Sequence, residues 1–206
     1  RHHLLERVGV LDARPLLIHC VRVDGDDVGA IARHDCSVAH CPASNAKLGH
    51  GIAPLTDFIR AGIRVGIGSD SVASNNRMDL LDEVRLAILM QRARTARFDA
   101  ISASEALELA TLGGARALGL EAEIGSLDVG KSADLAAFPL AALRSTPVYD
   151  PASALVFAAS GIMATFVAVA GRPLVRDARL VGSAATVPSL DSAAQALAEW
   201  SAKDRR

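Results

Sequence analysis

The chain of 206 residues is long enough for one large domain, or for a medium-sized domain with a small companion. Half of its residues are hydrophobic and 22% are charged, a balance that excludes an intrinsically disordered chain. The formal net charge is −1 and both signs are interspersed, so the sequence gives no reason to expect a nucleic-acid or anionic-membrane partner.

Neither a membrane span nor a secretory signal is predicted. The longest apolar run, at 154–171, is interrupted by small and polar residues, and the opening RHHLLERVGV lacks an apolar core. The chain has three cysteines, an odd number: Cys20, Cys36 and Cys41. We expect reduced thiols in a cytoplasmic protein.

The first two thirds of the chain alternate between apolar runs and amphipathic segments. Runs at 15–23, 36–42 and 63–70 have strand character, and helical spacing over 26–35 and 52–62 separates them. Strands separated by helices of this length indicate βα units and a parallel sheet. Because all three runs are apolar on both faces, we expect helices on both sides of that sheet.

Two longer helices are predicted next. Asp79 is placed to cap a helix over LLDEVRLAILMQRART, and Ser102 with Glu105 forms a capping box that opens a helix over SASEALELATLGGARALG. From about residue 124 the pattern changes to turn glycines and short strands, with a strand–turn–strand over 165–181. We therefore divide the chain into an α/β part, a small β element and a C-terminal helix: residues 1–123, 124–184 and 185–206.

Each of the three predicted strands ends at a chemically active side chain: His19, His40 and Asp70. The carboxyl ends of parallel strands meet at one edge of the sheet, where the active sites of βα proteins form. By strand alternation Asp70 shares a face with Gly66 and Gly68, which we expect to leave room for a ligand or metal. A carboxylate beside a metal-activated water can accept its proton.

Structural roles stay open for each of these residues taken alone. A histidine at a strand end is often a structural residue, and an aspartate before a serine often caps a turn. His34 and His50 fall at a helix end and in a loop, and we expect both to face solvent. A structural zinc site made by the three cysteines is disfavoured, because the chain has no C-x-x-C pair and such sites take four converging ligands.

Three segments resemble the amidohydrolase superfamily, in this order: IHCVRVD, AHCPASNAKLGHGIAPL and GIGSDSVASNNRMDLLDEVRLA. Within it they are most similar to methylthioadenosine/S-adenosylhomocysteine deaminases and triazine hydrolases. GSLDVGKSADLAAF resembles the return of that family into its small β-sandwich domain. The resemblance covers roughly residues 4–181. It implies an α/β fold, the C-terminal part of a (β/α)8 TIM barrel (strands six to eight), followed by part of a small composite β-sandwich domain.

The resemblance also implies roles for individual residues. Asp70 matches the strand-eight aspartate that ligates the metal and moves a proton, and His19 matches the strand-six histidine that polarises the water or the substrate. His40 matches a position beside the site that supports the structure or contacts substrate. Ser44 and Asn45 are expected to brace the rim through hydrogen bonds. The implied cofactor is one divalent metal ion, zinc by expectation, with iron as the alternative.

Several motifs of the family have no counterpart in this sequence: the H-x-H of strand one, the metal-binding histidine of strand five and the nearby H-x-x-E. We therefore expect the 206-residue chain alone to be inactive. Three strands cannot close a barrel, so we also expect an open edge and a tendency to aggregate or dimerise. The full-length enzyme is expected to be a homo-oligomer.

The implied activity is that of a metal-dependent hydrolase acting on non-peptide carbon–nitrogen bonds. The expected reaction is deamination of an adenosine-like nucleoside or another aminated heterocycle by metal-activated water. Two alternatives stay open: a hydrolytic dechlorinase of the triazine type, and a non-catalytic scaffold that retains the fold.

Overall fold

The computed structural model describes residues 2–140, 147–159, 162–182 and 187–203. Over these ranges the chain forms a parallel sheet in its N-terminal part and an antiparallel sheet in its C-terminal part, with helices packed around them. Among the described helices, none combines the length and the apolar character that a membrane span requires.

Three strands form the parallel sheet in the order β1–β2–β3: β1 Leu16–Ile18, β2 Ser37–His40 and β3 Arg64–Ile67. The register places Val38 beside Leu17 on one side and Val65 on the other. Val38 and Val65 are buried, as expected of strands covered by helices. The predicted parallel βα arrangement is therefore confirmed for these three strands.

Short helices precede and connect the strands: α1 His2–Arg7, α2 Gly25–Arg33, α3 Pro42–Lys47 and α4 Leu55–Arg60. The start of α2 is fixed by a capping box, in which Asp24 accepts a hydrogen bond from the Asp27 backbone and Asp27 accepts one from the Asp24 backbone. Phe58 of α4 is completely buried in the core between the sheet and its helices.

Four helices follow β3: α5 Val72–Asn75, α6 Leu80–Thr95, α7 Ala103–Ala110 and α8 Leu112–Leu118. The caps predicted at Asp79 and at Ser102 with Glu105 are both present. The single helix predicted after Ser102 is wrong, since the backbone at Thr111 (φ −123°, ψ −96°) leaves the helical region and divides it into α7 and α8.

The glycine at position 66 packs against a helix. A Cβ atom at Gly66 would lie 2.9 Å from the Cα of Gly114 in α8, so this face of β3 is closed by helix backbone. A Cβ atom at Gly68 would instead meet the Sγ of Cys41 at 3.4 Å, an ordinary contact. The expectation that Gly66 clears space for a ligand is wrong, and its function is close packing of β3 on α8.

The first strand is one of the two edges of the parallel sheet, and it is exposed. Among the described strands β1 pairs with β2 alone, and Leu16 and Ile18 are 39% and 58% exposed. This agrees with the open edge expected from the sequence. Aggregation or dimerisation through it stays a prediction.

The antiparallel sheet has four strands in sequence order: β4 Leu135–Ala137, β5 Phe166–Val169, β6 Arg172–Arg176 and β7 Arg179–Leu180. Between β4 and β5, α9 (Pro151–Ser153) continues as a π-helical turn over Ala154–Ala158, and Val156 packs into the core of the parallel part. The strand–turn–strand prediction is confirmed, whereas the β-sandwich stays a prediction.

The last helix is α10 (Val187–Lys203), and the predicted boundary at 184/185 lies outside the described residues.

We predict that Gly66→Ala destabilises the protein by roughly 1–3 kcal/mol, because the new methyl group would force β3 and α8 apart. Gly68→Ala is the matched control, since its methyl group meets only the Cys41 side chain. Urea unfolding followed by circular dichroism should give a clearly lower midpoint for Gly66→Ala. Equal midpoints for the two variants would contradict the packing role.

Candidate active site

Two of the three predicted strand-end residues meet at the carboxyl edge of the parallel sheet. The Nε2 atom of His19, after β1, lies 3.8 Å from the Oδ2 atom of Asp70, after β3. Their side chains are 34% and 27% exposed, so both are reachable from solvent. The edge therefore presents an imidazole and a carboxylate side by side.

The backbone turns sharply at both residues. His19 and Cys20 have φ angles of 68° and 46°, and Asp70 has 60°, all in the left-handed region that residues other than glycine rarely adopt. The His19 N–H still donates to the Ala39 carbonyl oxygen at 2.9 Å, so the ladder with β2 persists up to the turn. The two-residue alternation of a strand ends at these turns. It therefore cannot predict the direction in which the His19 or the Asp70 side chain points.

Three donors hold the Asp70 carboxylate. The Ser44 and Ser74 hydroxyls donate to Oδ2 at 2.6 and 2.8 Å, and the Ser71 backbone N–H donates to Oδ1 at 2.7 Å. These bonds, with that from Ser44 the largest cause, lower the pKa of Asp70 to about 2. Asp70 is therefore ionised at neutral pH, and three of its about four acceptor positions are used.

The two rim residues of α3 differ in their hydrogen bonds. Both Ser44 and Asn45 are buried. Ser44 reaches Asp70, whereas neither the Nδ2 nor the Oδ1 atom of Asn45 has a hydrogen-bond partner among the described residues. The geometry thus gives Ser44 a direct contact with the carboxylate and gives Asn45 none.

His40 ends β2 but lies beneath the surface. Its side chain is 1% exposed, and within the described part of the chain neither ring nitrogen has a hydrogen-bond partner. Burial, assisted by the nearby His19, lowers the pKa of His40 to about 4, so the ring is neutral at pH 7. Of its two predicted roles, support is the one compatible with this burial, and the role itself stays a prediction.

A buried carboxylate that the sequence interpretation missed lies behind the rim. Glu83 of α6 is 1% exposed and accepts hydrogen bonds from the Ala43 backbone N–H (2.9 Å) and from the Asn75 side-chain amide. Burial raises the pKa of Glu83, and these two hydrogen bonds oppose the rise. Helical spacing in the sequence could have indicated its burial. Glu83 lies four residues before the buried Ala87 and eight before the buried Gln91, which places it on the same face of the helix.

The remaining histidines lie outside this group. His50 is exposed, as predicted, and borders a cavity of about 440 Å³ that His19 also lines. His34 lies at the C-terminal end of α2, as predicted, but it does not face solvent freely. Its Nε2 lies 3.2 Å from Glu6 Oε1 and its Nδ1 3.1 Å from Asp12 Oδ1, and the side chain is 22% exposed. Tertiary contacts brought these carboxylates from the chain's first turns to the end of α2.

The site residues fit a contribution to a metal centre, since carboxylate and imidazole are zinc ligands. Among the described residues, however, no group of three or more His, Cys, Asp or Glu side chains is placed to hold a metal ion. The three cysteines are free and buried, and burial raises the pKa of Cys20 to about 12 and of Cys41 to about 11. Without a cation beside them, these two thiols are protonated at neutral pH.

We predict that Ser44→Ala raises the pKa of Asp70 from about 2 toward its ordinary value of 3.8. Asp70 binds a proton less readily in the folded chain, so its stabilising effect is present above about pH 4 and is lost as the pH falls toward 2. Ser44→Ala should narrow the pH range over which the ionised Asp70 stabilises the folded chain. A ¹³C NMR titration of the Asp70 carboxyl measures the pKa, and Ser74→Ala, which removes a weaker contribution, should raise it less. An unchanged pKa in Ser44→Ala would contradict this account.

Comparisons with known proteins identify the family of this chain. The amidohydrolase family model matches residues 1–174. A 5-methylthioadenosine/S-adenosylhomocysteine deaminase from Moorella thermoacetica is 41% identical over 172 residues, which cover 84% of this chain and 40% of the relative. An S-triazine hydrolase from Gordonia rubripertincta is 36% identical, with 85% of this chain and 36% of the relative covered.

Among solved structures, an adenosine deaminase from Xanthomonas campestris with bound zinc superimposes with a TM-score of 0.86 at 34% identity, covering 98% of this chain and 45% of that one. An atrazine chlorohydrolase from Arthrobacter aurescens TC1 complexed with zinc gives a TM-score of 0.85 at 32% identity, covering 93% and 43%. The chain thus spans about two fifths of the length of the curated relatives it matches. The chain belongs to the amidohydrolase family.

Proposed function

We propose that this chain forms the His19- and Asp70-bearing part of a metal-dependent hydrolase that deaminates an adenosine-like nucleoside or another aminated heterocycle. The observation that carries the proposal is the pairing of His19 with Asp70, 3.8 Å apart, at the carboxyl edge of a parallel sheet. The family and the deaminases among the relatives support it.

Asp70 is the residue of this chain that we propose to hold the metal. A divalent ion, zinc by expectation or iron, supplies a bound water whose pKa is lowered to near neutrality. Zinc is supported by its presence in similar solved structures. Among the described residues, no group of three or more ligands surrounds a possible metal position. We therefore propose that the 206 residues alone are inactive.

Asp70 is also proposed to move a proton. Its carboxylate stays ionised because three donors hold it, so it is available to accept a proton from the attacking water. Once protonated, the same carboxyl group could pass the proton to the departing amine, which would leave as ammonia.

His19 is proposed to orient or polarise the reacting group. Its ring lies beside Asp70 and borders the cavity of about 440 Å³, which has room for part of a heterocycle. An imidazole at this position can donate a hydrogen bond to a substrate atom bonded to the reacting carbon. Charge develops on that atom as water adds to the carbon.

A second candidate is hydrolytic dechlorination of a triazine. A triazine hydrolase and an atrazine chlorohydrolase match this chain at identities close to those of the deaminases. The same residues could serve it, because water attack on an electron-poor ring carbon is shared by both reactions and the leaving group alone differs. A scaffold without catalysis is the third alternative, against which the pairing of His19 with Asp70 weighs.

The substrate class is tested by assaying the full-length protein with adenosine derivatives, guanine and chlorotriazines. We expect release of ammonia from at least one adenosine-like compound, followed with a coupled ammonia assay. Chloride release from triazines with no ammonia release from any purine would replace the proposal by the second candidate. Turnover of none of them would favour the scaffold.

We predict that Asp70→Ala in the full-length protein lowers kcat by roughly 10³-fold or more and reduces the metal content, since it removes both a ligand and a proton acceptor. His19→Ala should lose activity to a similar degree and keep most of the metal. His34→Ala is the control and should keep both, because the ring contacts Glu6 and Asp12 rather than Asp70. Activity assays with metal analysis by mass spectrometry measure these outcomes, and a His19→Ala protein without metal would overturn the division of roles.

A further inference from the structure

We infer that Glu83 is a positioning residue, whose buried carboxylate ties the loop after β2 to the loop after β3 and thereby holds the donors around Asp70. The inference deepens the proposed function and rests on it wherever activity or metal binding is concerned. Its structural part rests on contacts within the described residues alone.

The first contact joins Glu83 to the loop after β2. The Glu83 Oε2 atom accepts the Ala43 backbone N–H at 2.9 Å, at the start of α3. The next residue, Ser44, donates its hydroxyl to Asp70. Ala43 and Ser44 are consecutive residues of α3. Because the helical φ and ψ angles of Ala43 connect its N–H to the Ser44 Cα, holding the Ala43 amide restrains where the Ser44 side chain begins.

The second contact joins Glu83 to the loop after β3. The Glu83 Oε1 atom accepts a hydrogen bond from the Asn75 side-chain amide, which also donates to the Ser69 carbonyl oxygen at 3.0 Å. Asn75 follows Ser74, a donor to Asp70, and Ser69 precedes Asp70 itself. The residues that these hydrogen bonds reach are Ala43, Asn75 and Ser69. Each is adjacent in the sequence to Asp70 or to one of the residues that donate to it.

The burial of Glu83 argues against an incidental role. A carboxylate that is 1% exposed loses its hydration, and the nearby Asp82 and Asp70 charges oppose its ionisation further. An apolar side chain at this core-facing position of α6 would avoid both penalties. What only a carboxylate supplies here is two acceptor oxygens that face donors from two different loops.

The same helix provides a matched control. Gln91, two turns further along α6, is also fully buried, and its side chain donates to the Ala53 carbonyl oxygen at 2.8 Å and accepts the Thr56 N–H. It braces the segment around the start of α4 and has no contact with the loops around Asp70. Replacing either side chain is expected to disturb the packing of α6. Of the two, Glu83 is the one that bonds to the loops around Asp70.

The experiment compares Glu83→Gln with Gln91→Met in the full-length protein. Glutamine keeps the shape of Glu83 but presents an NH₂ group to one of two donors. We expect Glu83→Gln to weaken zinc binding, measured by competition with a chromophoric chelator, by roughly 10–100-fold. We also expect the Ser71 amide proton, which donates to Asp70 and has no contact with Glu83, to move upfield in spectra of ¹⁵N-serine-labelled protein. Gln91→Met should lower the melting temperature and leave both readouts near wild type.

The outcomes separate this inference from the proposed function. A Ser71 resonance that is unchanged in Glu83→Gln, or equally shifted in Gln91→Met, would overturn the positioning role. If the wild-type protein binds no zinc, the proposed function fails, and the Ser71 resonance still decides whether Glu83 positions Asp70. Should Glu83→Gln not fold, Asn75→Ala removes the second contact from a less buried position. It must then shift the Ser71 resonance, or the inference is wrong.

Discussion

The structure depends on one electrostatic constraint: an ionised carboxylate must be held at the end of a strand, partly out of water, in a fixed direction. Asp70 meets this constraint with hydrogen bonds from Ser44, Ser71 and Ser74. Each bond compensates lost hydration, and together they leave few positions from which the carboxylate can interact further. The orientation toward His19 follows from these bonds, since the residue's left-handed backbone does not fix the side chain by itself.

These donors come from different loops, so the site depends on how closely the loops are assembled. The parallel pairing of β1, β2 and β3 brings their carboxyl ends together, and glycine contacts between β3 and α8 set the position of the third strand. Behind the rim, Glu83 adds a link between the second and third loops from a helix that follows both in the chain. The sheet therefore sets the approximate position of each loop, and buried hydrogen bonds refine it.

Much of the fold could be predicted because the determining signals are local. The capping residues at Asp79 and Ser102 act within one helical turn, and apolar runs identify buried strands without knowledge of their neighbours. The errors arise where the determining contact is distant. His34 is flanked by Glu6 and Asp12, some 20 to 30 residues earlier. Gly66 faces the backbone of Gly114, a contact with no signature in the flanking sequence.

For the candidate site, the sequence by itself determined that His19 and Asp70 lie near the carboxyl ends of parallel strands, and therefore at one edge of the sheet, although the strands end earlier than predicted, at Ile18 and Ile67. It also determined membership of the amidohydrolase family, because the motifs around these residues are long and ordered. Only the tertiary structure decided that His40 is buried, that Ser44 contacts the carboxylate and that Glu83 lies behind the rim. The physical reason is that strand ends follow from local periodicity, whereas burial and hydrogen bonding depend on which distant segments meet.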